Sequence, residues 1–247
     1  MREKSKRGET GKSKISLWAV VFAALLFLAG AAVFLYPAVS HWLAELHQSS
    51  VIQEYEKELA AENEAFYAAE WQKAREYNES LAGDPVRDPF IPGTGYALPE
   101  NYLECLNVNG VMGYLVIPKI NVRLPIYHGT GEEALQNGVG HIESTALPIG
   151  GAFTHAILTG HRGLPSAKLF TNLDRLAIGD RFYIYVLDQI LAYEVDEINT
   201  VLPDALEELE AIEGRDLVTL ITCTPYGVNT QRLLVRGSRI PYVPEEA

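Results

Sequence analysis

The sequence predicts a mainly β domain, a closed eight-stranded barrel with short helices, preceded by a transmembrane helix and an N-terminal helical segment. Three observations predict this fold class. An uncharged apolar run lies near the N-terminus, and a stretch rich in helix-forming residues follows it. From Val111 onward, short β-branched or alternating segments are separated by Gly, Pro and Asn, which is typical of strands joined by turns. At 247 residues the chain has room for one sizeable domain with these appendages.

The N-terminal residues predict a membrane anchor. Residues 1–14 form a basic, polar, cytoplasmic tail, and residues 15–36 contain no Lys, Arg, Asp or Glu. As a helix, such a run can cross a hydrocarbon core of about 30 Å. The positive flank places the tail inside the cell and the rest of the chain outside. A cleaved signal peptide is the competing interpretation, but its apolar region usually spans only about 7–15 residues. We therefore expect a single-pass protein of the cell membrane with an extracytoplasmic domain.

The charge distribution argues against nucleic acid as a partner. The chain has a formal net charge of −12, and its first fourteen residues carry six basic and two acidic side chains, so the remainder carries −16. Binding of nucleic-acid phosphates needs a basic surface. We interpret the acidity as a solvated surface that keeps the domain soluble.

Two segments connect the anchor to the β domain. Residues 37–80 are rich in Ala, Glu, Gln, Lys and Leu, which favour an extracytoplasmic helical segment of one or two helices. Residues 81–101 contain repeated Gly and Pro, which prevent regular structure and predict a loop. The simplest interpretation of this loop is a linker.

Residues 102–247 predict the barrel domain. The strand candidates are residues 112–118, 123–128, 139–142, 155–161, 181–187, 190–201, 216–223 and 231–243. Short helices fit at residues 132–136, 166–176 and 203–211. Closing these strands into a barrel would leave no exposed sheet edge.

Cys223 and Arg232 are candidates for one chemical site. Cys223 ends a predicted strand, and Arg232 begins the next one after a loop with Pro and Gly. A hairpin that pairs Cys223 with Arg232 also pairs the apolar residues Leu220 with Val235 and Ile221 with Leu234, so the apolar pattern agrees with this register. A guanidinium beside a thiol favours the nucleophilic thiolate and can stabilise an oxyanion.

The other cysteine, Cys105, could form a disulfide with Cys223 in an extracytoplasmic protein. That bond would consume the best candidate nucleophile of the chain, so we interpret Cys105 as a small buried hydrophobic residue before the first strand.

An acid or base is still needed, and His161 is the candidate. It lies in the motif Thr-Gly-His-Arg-Gly at residues 159–163, where an apolar strand ends. By composition, His128, His141 and His155 are equal competitors, and only the motif favours His161. The chain lacks the C-x-x-C and H-x-x-x-H spacings of zinc sites, so we expect no metal and no cofactor.

These motifs together resemble the sortase family of cysteine transpeptidases. Residues 219–223 read Thr-Leu-Ile-Thr-Cys, Arg232 follows nine positions later, and Thr-Gly-His lies upstream. Residues 113–118 and 124–129 also resemble the first strands of that fold, and the likeness covers residues 109–242. It is specific because separate motifs recur in the right order. The resemblance implies a sortase-type β-barrel with Cys223 as nucleophile, His161 as acid and base, and Arg232 holding the oxyanion or the substrate.

Within this family the chain is most similar to class C, the pilus-assembly sortases. Members of that class carry an N-terminal lid with an Asp-Pro-aromatic motif over the active site, and this chain has Asp88, Pro89 and Phe90 in the predicted loop. The resemblance implies that Asp88 pairs with Arg232 and that Phe90 covers Cys223. One departure is Gln231, which stands where class C often has a histidine.

The resemblance implies a membrane-anchored transpeptidase of Gram-positive type. It would cleave an LPXTG-like motif in a secreted or pilin protein through a thioacyl-enzyme, and pass the acyl group to an amine, in class C a pilin lysine. Two alternatives stay open. The enzyme could anchor surface proteins to a peptidoglycan cross-bridge, or the chain could be a non-catalytic membrane scaffold that binds sorting motifs.

Overall fold

The described part of the chain begins with helices. The computed structural model describes residues 17–81, 88, 90, 91, 100–203, 205 and 209–244. The α-helices in these ranges are α1 (Leu17–Ala60), α2 (Glu64–Ser80), α3 (Glu100–Glu104) and α4 (Glu132–Asn137). Asn63 caps α2, because its side-chain oxygen accepts hydrogen bonds from the N–H groups of Ala65 and Phe66 at 2.9 and 3.1 Å, two donors that the first helical turn leaves free.

The beginning of α1 has the composition of a membrane span. Within the described residues, one helical stretch, Val20–Ala60, is long and apolar enough to cross a membrane, and its most apolar part is not buried in the protein. This agrees with the predicted anchor at residues 15–36, while the predicted basic tail at 1–14 lies outside the described residues. The described residues up to Val39 form one compact unit, and those from Ser40 onward form another.

The second unit contains a closed barrel of eight strands in the order β1-β2-β3-β4-β7-β8-β6-β5. The strands are β1 (Val111–Ile117), β2 (Val122–His128), β3 (Val139–His141), β4 (Thr154–Thr159), β5 (Arg181–Val186), β6 (Gln189–Val201), β7 (Asp216–Thr224) and β8 (Gln231–Ile240). The pairs β2–β3 and β4–β7 are parallel, and the other pairs are antiparallel. The predicted closed barrel with short helices is therefore confirmed.

Aromatic residues of α1 and α2 form hydrogen bonds with the barrel. The hydroxyl of Tyr55 in α1 donates to the carbonyl of Met112 at 3.2 Å and accepts the N–H of Leu187 at 2.9 Å. The indole N–H of Trp71 in α2 donates to Asp188 Oδ1 at 2.7 Å. Each ring buries apolar area and still satisfies its polar atom, so the helices extend the barrel core.

Three of the predicted elements differ from the structure by more than one residue at an end, and one of them, the strand predicted at 231–243, ends at Ile240. The strand predicted at 155–161 ends at Thr159. The helix predicted at 166–176 is wrong, since only a short 3-10 turn, Leu173–Arg175, forms there. Leu169 has a positive φ of 38°, and the N–H of Phe170 donates to the carbonyl of His161 at 3.1 Å. The backbone at these two residues therefore leaves the helical path, and the bonds within the segment are those of short turns, such as Leu173 N–H to the carbonyl of Phe170 at 3.0 Å. The helix predicted at 203–211 lies partly outside the described residues.

Candidate active site

Cys223 and Arg232 are cross-strand neighbours in the hairpin of β7 and β8. The three predicted pairs, Cys223–Arg232, Leu220–Val235 and Ile221–Leu234, are all present, so the predicted register is confirmed. Both side chains are buried, with 8% of Cys223 and 4% of Arg232 exposed. The Nη1 of Arg232 donates to the carbonyl of Asn229 at 3.1 Å and to that of Gln231 at 3.0 Å. These bonds fix the guanidinium beside the thiol.

Strand alternation gives this hairpin two different faces. Leu220 and Val235 belong to the main core of the barrel. Because side chains alternate along a strand, Cys223 and Arg232 lie on the opposite face. A second, smaller apolar cluster lies on that face, formed by Ile142, Ile157, Leu209, Ile221 and Leu234. The thiol therefore lies on the same face as a buried apolar cluster outside the main core.

His161 follows β4, the parallel neighbour of β7. The register aligns Thr159 with Ile221, which places His161 and Cys223 two residues further along at the same end of adjacent strands. The N–H of Gly160 donates to the carbonyl of Ile221 at 3.1 Å, and Thr222 Oγ1 donates to the carbonyl of Gly160 at 2.7 Å. The backbone before His161 is thus bound directly to the strand that carries Cys223.

Two described residues of the 81–101 segment, Asp88 and Phe90, contact this site. Asp88 Oδ2 lies 2.6 Å from Arg232 Nε, and Arg232 Nη2 donates to Asp88 Oδ1 at 3.3 Å. The N–H of Phe90 donates to Asp88 Oδ1 at 2.7 Å, which keeps the two residues in one turn. Pro89 between them lies outside the described residues.

Phe90 packs against the two candidate catalytic side chains flanking the thiol. Its ring centroid lies 5.6 Å from that of His161 and 5.2 Å from the Arg232 Cζ, and it also contacts the smaller apolar cluster. A ring in this position combines apolar contact with a cation–π interaction. The segment therefore supplies a carboxylate to the guanidinium and an apolar group to the surface beside the thiol.

The surroundings keep the thiol and the imidazole neutral. Burial raises the pKa of Cys223, an effect that the Arg232 charge opposes and the Asp88 charge reinforces. Burial also lowers the pKa of His161, against the influence of the Glu132 carboxylate. Since a buried environment disfavours either charged form, both groups are uncharged at pH 7 while Asp88 occupies the site.

The competing histidines have structural partners elsewhere. The Nε2 of His128 bonds to the carbonyl of Cys105 at 2.7 Å. His141 bonds to the hydroxyl of Tyr102 at 2.9 Å and to the carbonyl of Ala146 at 2.8 Å, while His155 bonds to Thr219 Oγ1 at 2.7 Å. Burial lowers the pKa of His128 below its usual value, and lowers that of His141 and of His155 to about 4, so all three rings act as neutral hydrogen-bonding groups.

Neither cysteine is in a disulfide. Cys105 and Cys223 are both buried free thiols, and Cys105 donates to the carbonyl of Asn101 at 3.1 Å, consistent with its interpretation as a small interior residue. In the part of the chain that the structure describes, no His, Cys, Asp and Glu side chains cluster in a way that could hold a metal ion.

One hydrogen bond and one electrostatic influence at the site were not expected from the sequence. Arg162 lies inside the quoted motif, but only the folded chain shows its guanidinium against Thr224, at 3.0 Å from Oγ1. Glu132, on α4, acts on His161 through its charge although 29 positions separate the two residues. The residue types predict neither interaction, because both depend on the folded conformation of the loops around the barrel.

The sequence and the fold of this chain are similar to those of known proteins. The sortase domain family model matches residues 115–240, just over half of the chain. Sortase A of Bacillus anthracis is 29% identical over 135 residues, which cover 55% of this chain and 62% of that protein. The chain spans between 52% and 63% of the length of the first curated relatives it matches.

Solved structures of class C sortases are more similar over a larger share of the chain. Sortase C-1 of Streptococcus pneumoniae is 45% identical with a TM-score of 0.75, and the match covers 78% of this chain and 100% of that one. Sortase C1 of pilus island 1 of group B Streptococcus is 46% identical with a TM-score of 0.74, covering 81% and 95%. The predicted likeness to class C is confirmed, and this chain belongs to the sortase family.

Proposed function

We propose that this chain is a membrane-anchored cysteine transpeptidase that joins pilin subunits. It cleaves an LPXTG-like sorting motif, holds the acyl part on Cys223 as a thioester, and transfers it to a pilin lysine. The observation that carries the proposal is the position of Cys223, beside Arg232 in one hairpin and at the same end of adjacent strands as His161. A nucleophile, a cation and an acid–base group in that arrangement suit acyl transfer.

The reaction uses the three side chains in two half-reactions. In the first, the Cys223 sulfur attacks the carbonyl carbon of the threonine in the motif, its proton passes to His161, and the C–N bond breaks as His161 protonates the leaving amine. Arg232 stabilises the negative charge on the carbonyl oxygen. In the second, the incoming amine attacks the thioester and gives a proton to His161, which passes it to the Cys223 sulfur as the C–S bond breaks.

The apolar cluster beside the thiol supports a peptide substrate of this type. An LPXTG-like motif presents a leucine and a proline ahead of the bond to be cut, and these side chains gain free energy on leaving water. Ile157, Ile221 and Leu234 are buried and lie on the face of the strands that carries Cys223. Phe90 packs against the cluster to which they belong, so displacement of Phe90 would open this apolar face to substrate side chains.

Asp88, Pro89 and Phe90 form the proposed lid of this site. Asp88 forms an ion pair with Arg232, so its carboxylate neutralises the positive charge that the reaction requires. The Phe90 ring, against His161 and Arg232, occupies the space beside the acid–base group. In this proposal a substrate reaches Cys223 only after the lid is displaced, and the loss of the Asp88 charge then favours the thiolate.

A membrane anchor and a pilin acceptor complete the proposal. The apolar helix near the N-terminus is long enough to cross a membrane, and the basic residues before it favour a cytoplasmic N-terminus with the barrel outside. Enzyme and tethered substrates would then share one membrane plane at high effective concentration. The likeness to a sortase C1 of a pilus island supports a pilin lysine as the acceptor.

The test is to trap the acyl-enzyme. Full-length protein in detergent is incubated with an LPXTG-type peptide, and the mass of the adduct on Cys223 is measured, with Cys223→Ala as the control. A pilin domain with a lysine acceptor and a peptidoglycan cross-bridge peptide are then offered in parallel. We expect a thioester and preferential joining to the pilin lysine. Absence of any Cys223 adduct in wild type and in lid variants would refute the transpeptidase, and preference for the cross-bridge would refute the pilin acceptor.

A further inference from the structure

The guanidinium of Arg162 links the loop that carries His161 to the strand that carries Cys223. Arg162 directly follows His161 in the chain, and only 7% of its side chain is exposed. Its Nη1 donates to Thr224 Oγ1 at 3.0 Å, and its Nη2 donates to Asp174 Oδ2 at 2.6 Å. One side chain therefore connects the His161 loop, the end of β7 and the 3-10 turn Leu173–Arg175.

Arg162 does not approach the reacting atoms through this contact. Thr224 directly follows Cys223 in β7, and successive side chains of a strand point to opposite faces. The bond from Arg162 to Thr224 therefore lies on the side of β7 away from the thiol. Any effect of Arg162 on the reaction has to pass through the backbone of the two segments.

The His161 loop needs such a contact because regular pairing between β4 and β7 stops before it. In the described ranges, the aligned pairs of these strands end at Thr159 with Ile221, and the bonds made by Gly160 are the next ones. Beyond His161, the N–H of Gly163 donates to Thr171 Oγ1 at 3.2 Å, which ties the loop to its own later residues. The Arg162 bond adds a connection to β7 on the far side of His161.

We propose that Arg162 is a positioning residue that sets the distance between the His161 imidazole and the Cys223 thiol. This inference rests on the proposed function. Acyl transfer is sensitive to such placement, and a shift of about 1 Å can cost roughly a hundredfold in rate. The planar fork of arginine reaches Thr224 and Asp174 at once, which the single ammonium of a lysine cannot reproduce.

The partners of Arg162 make the variants informative. The Asp174 side chain is half exposed, so loss of the guanidinium leaves its carboxylate solvated instead of buried and unpaired. Arg162→Gln should therefore fold. Thr224→Val removes the acceptor with little change of volume, and Thr224→Ser keeps it. Arg175, exposed on the same 3-10 turn, offers Arg175→Gln as the matched control.

The experiment measures kcat and KM for hydrolysis of an LPXTG-type peptide through the Cys223 thioester by the full-length protein, with melting temperature and the iodoacetamide labelling rate of Cys223 in parallel. For Arg162→Gln we expect kcat to fall about tenfold to a hundredfold, with KM and the labelling rate unchanged. Arg162→Lys should recover part of the loss, and Thr224→Ser should recover what Thr224→Val loses. The double variant Arg162→Gln/Thr224→Val should be no slower than Arg162→Gln, because the two substitutions remove the same hydrogen bond.

The outcomes separate this inference from the proposed function. If Cys223→Ala abolishes the thioester while Arg162→Gln keeps the wild-type kcat, Arg162 has no positioning role and the transpeptidase stands. If neither wild type nor the lid variants form a thioester, the proposed function fails. A loss in Arg162→Gln that comes with faster labelling and a lower melting temperature would indicate general disruption and refute positioning. Should Arg162→Gln not fold, the comparison of Thr224→Val with Thr224→Ser decides the question by the same kcat measurement.

Discussion

Asp88 and Arg232, which are 144 positions apart in the chain, form an ion pair with 2.6 Å between Oδ2 and Nε and with at most 5% of either side chain exposed. Removing one partner of a buried ion pair costs about 3–5 kcal/mol, because the other charge stays buried without compensation. The Asp88 segment can therefore leave the site only when water or a substrate takes over the guanidinium. This requirement makes access to Cys223 dependent on the residues of the proposed lid.

Asp88→Ala combined with Phe90→Ala should increase access to Cys223. The change removes the ion pair and the ring contact with His161, so the segment loses its contacts with the site. We expect faster labelling of Cys223 by a thiol reagent and faster hydrolysis of an LPXTG-type peptide. Asp84→Ala, at the other Asp-Pro pair of the segment, is the matched control. Equal rates of labelling and hydrolysis in wild type and the double variant would contradict the lid hypothesis.

The protonation of Cys223 should respond to the charge at residue 88. The Asp88 carboxylate contributes to the raised pKa of Cys223, and the Arg232 charge opposes this shift. Asp88→Asn should therefore lower the pKa of Cys223, and addition of Arg232→Gln to that variant should raise it again. The pH dependence of the alkylation rate measures both shifts. An unchanged midpoint in Asp88→Asn would mean that this carboxylate does not act on the thiol.

Gly160→Ala should displace the backbone next to His161. A Cβ at this position would lie 2.9 Å from Cδ2 of Phe170, and that ring is fully buried, so the ring or the strand end has to move. We expect a loss of about 1–3 kcal/mol in the free energy of unfolding, measured by urea titration, and a lower rate of thioester formation. Gly131→Ala, where a Cβ meets nothing within 4 Å, is the control and should keep wild-type stability and activity.

Periodicity predicted the hairpin of the site because both of its strands carry an unambiguous pattern. Leu220 and Ile221 can face Val235 and Leu234 in one register only, since a shift by one residue would exchange the two faces. The helix predicted at 166–176, which is wrong, shows that composition alone does not determine local structure. Its composition suits a helix, yet Leu169 has a positive φ and Phe170 bonds to the His161 loop, and both features depend on contacts with the rest of the fold.

Some residues of the candidate site could be predicted from the sequence pattern, and others could not. Cys223 and Arg232 could be paired from the sequence, because one hairpin holds both of them. His161 needed the resemblance to a family, since its relation to Cys223 arises from a parallel pair of strands that are distant in sequence. The bond of Arg162 to Thr224 had no signal at all, because neither residue type requires the other.

The buried ring of His141 should make the barrel sensitive to acid. Burial lowers its pKa from 6.5 to about 4, so between these values the unfolded chain binds a proton that the folded chain does not. The free energy of unfolding therefore falls as pH drops below 6.5, by up to about 3 kcal/mol from this residue when pH reaches 4. His141→Gln should flatten that dependence in urea titrations between pH 7 and 4.5, whereas His47→Gln, at an exposed position, should leave it as in wild type. A curve for His141→Gln that runs parallel to wild type would show that this ring is not the group that titrates.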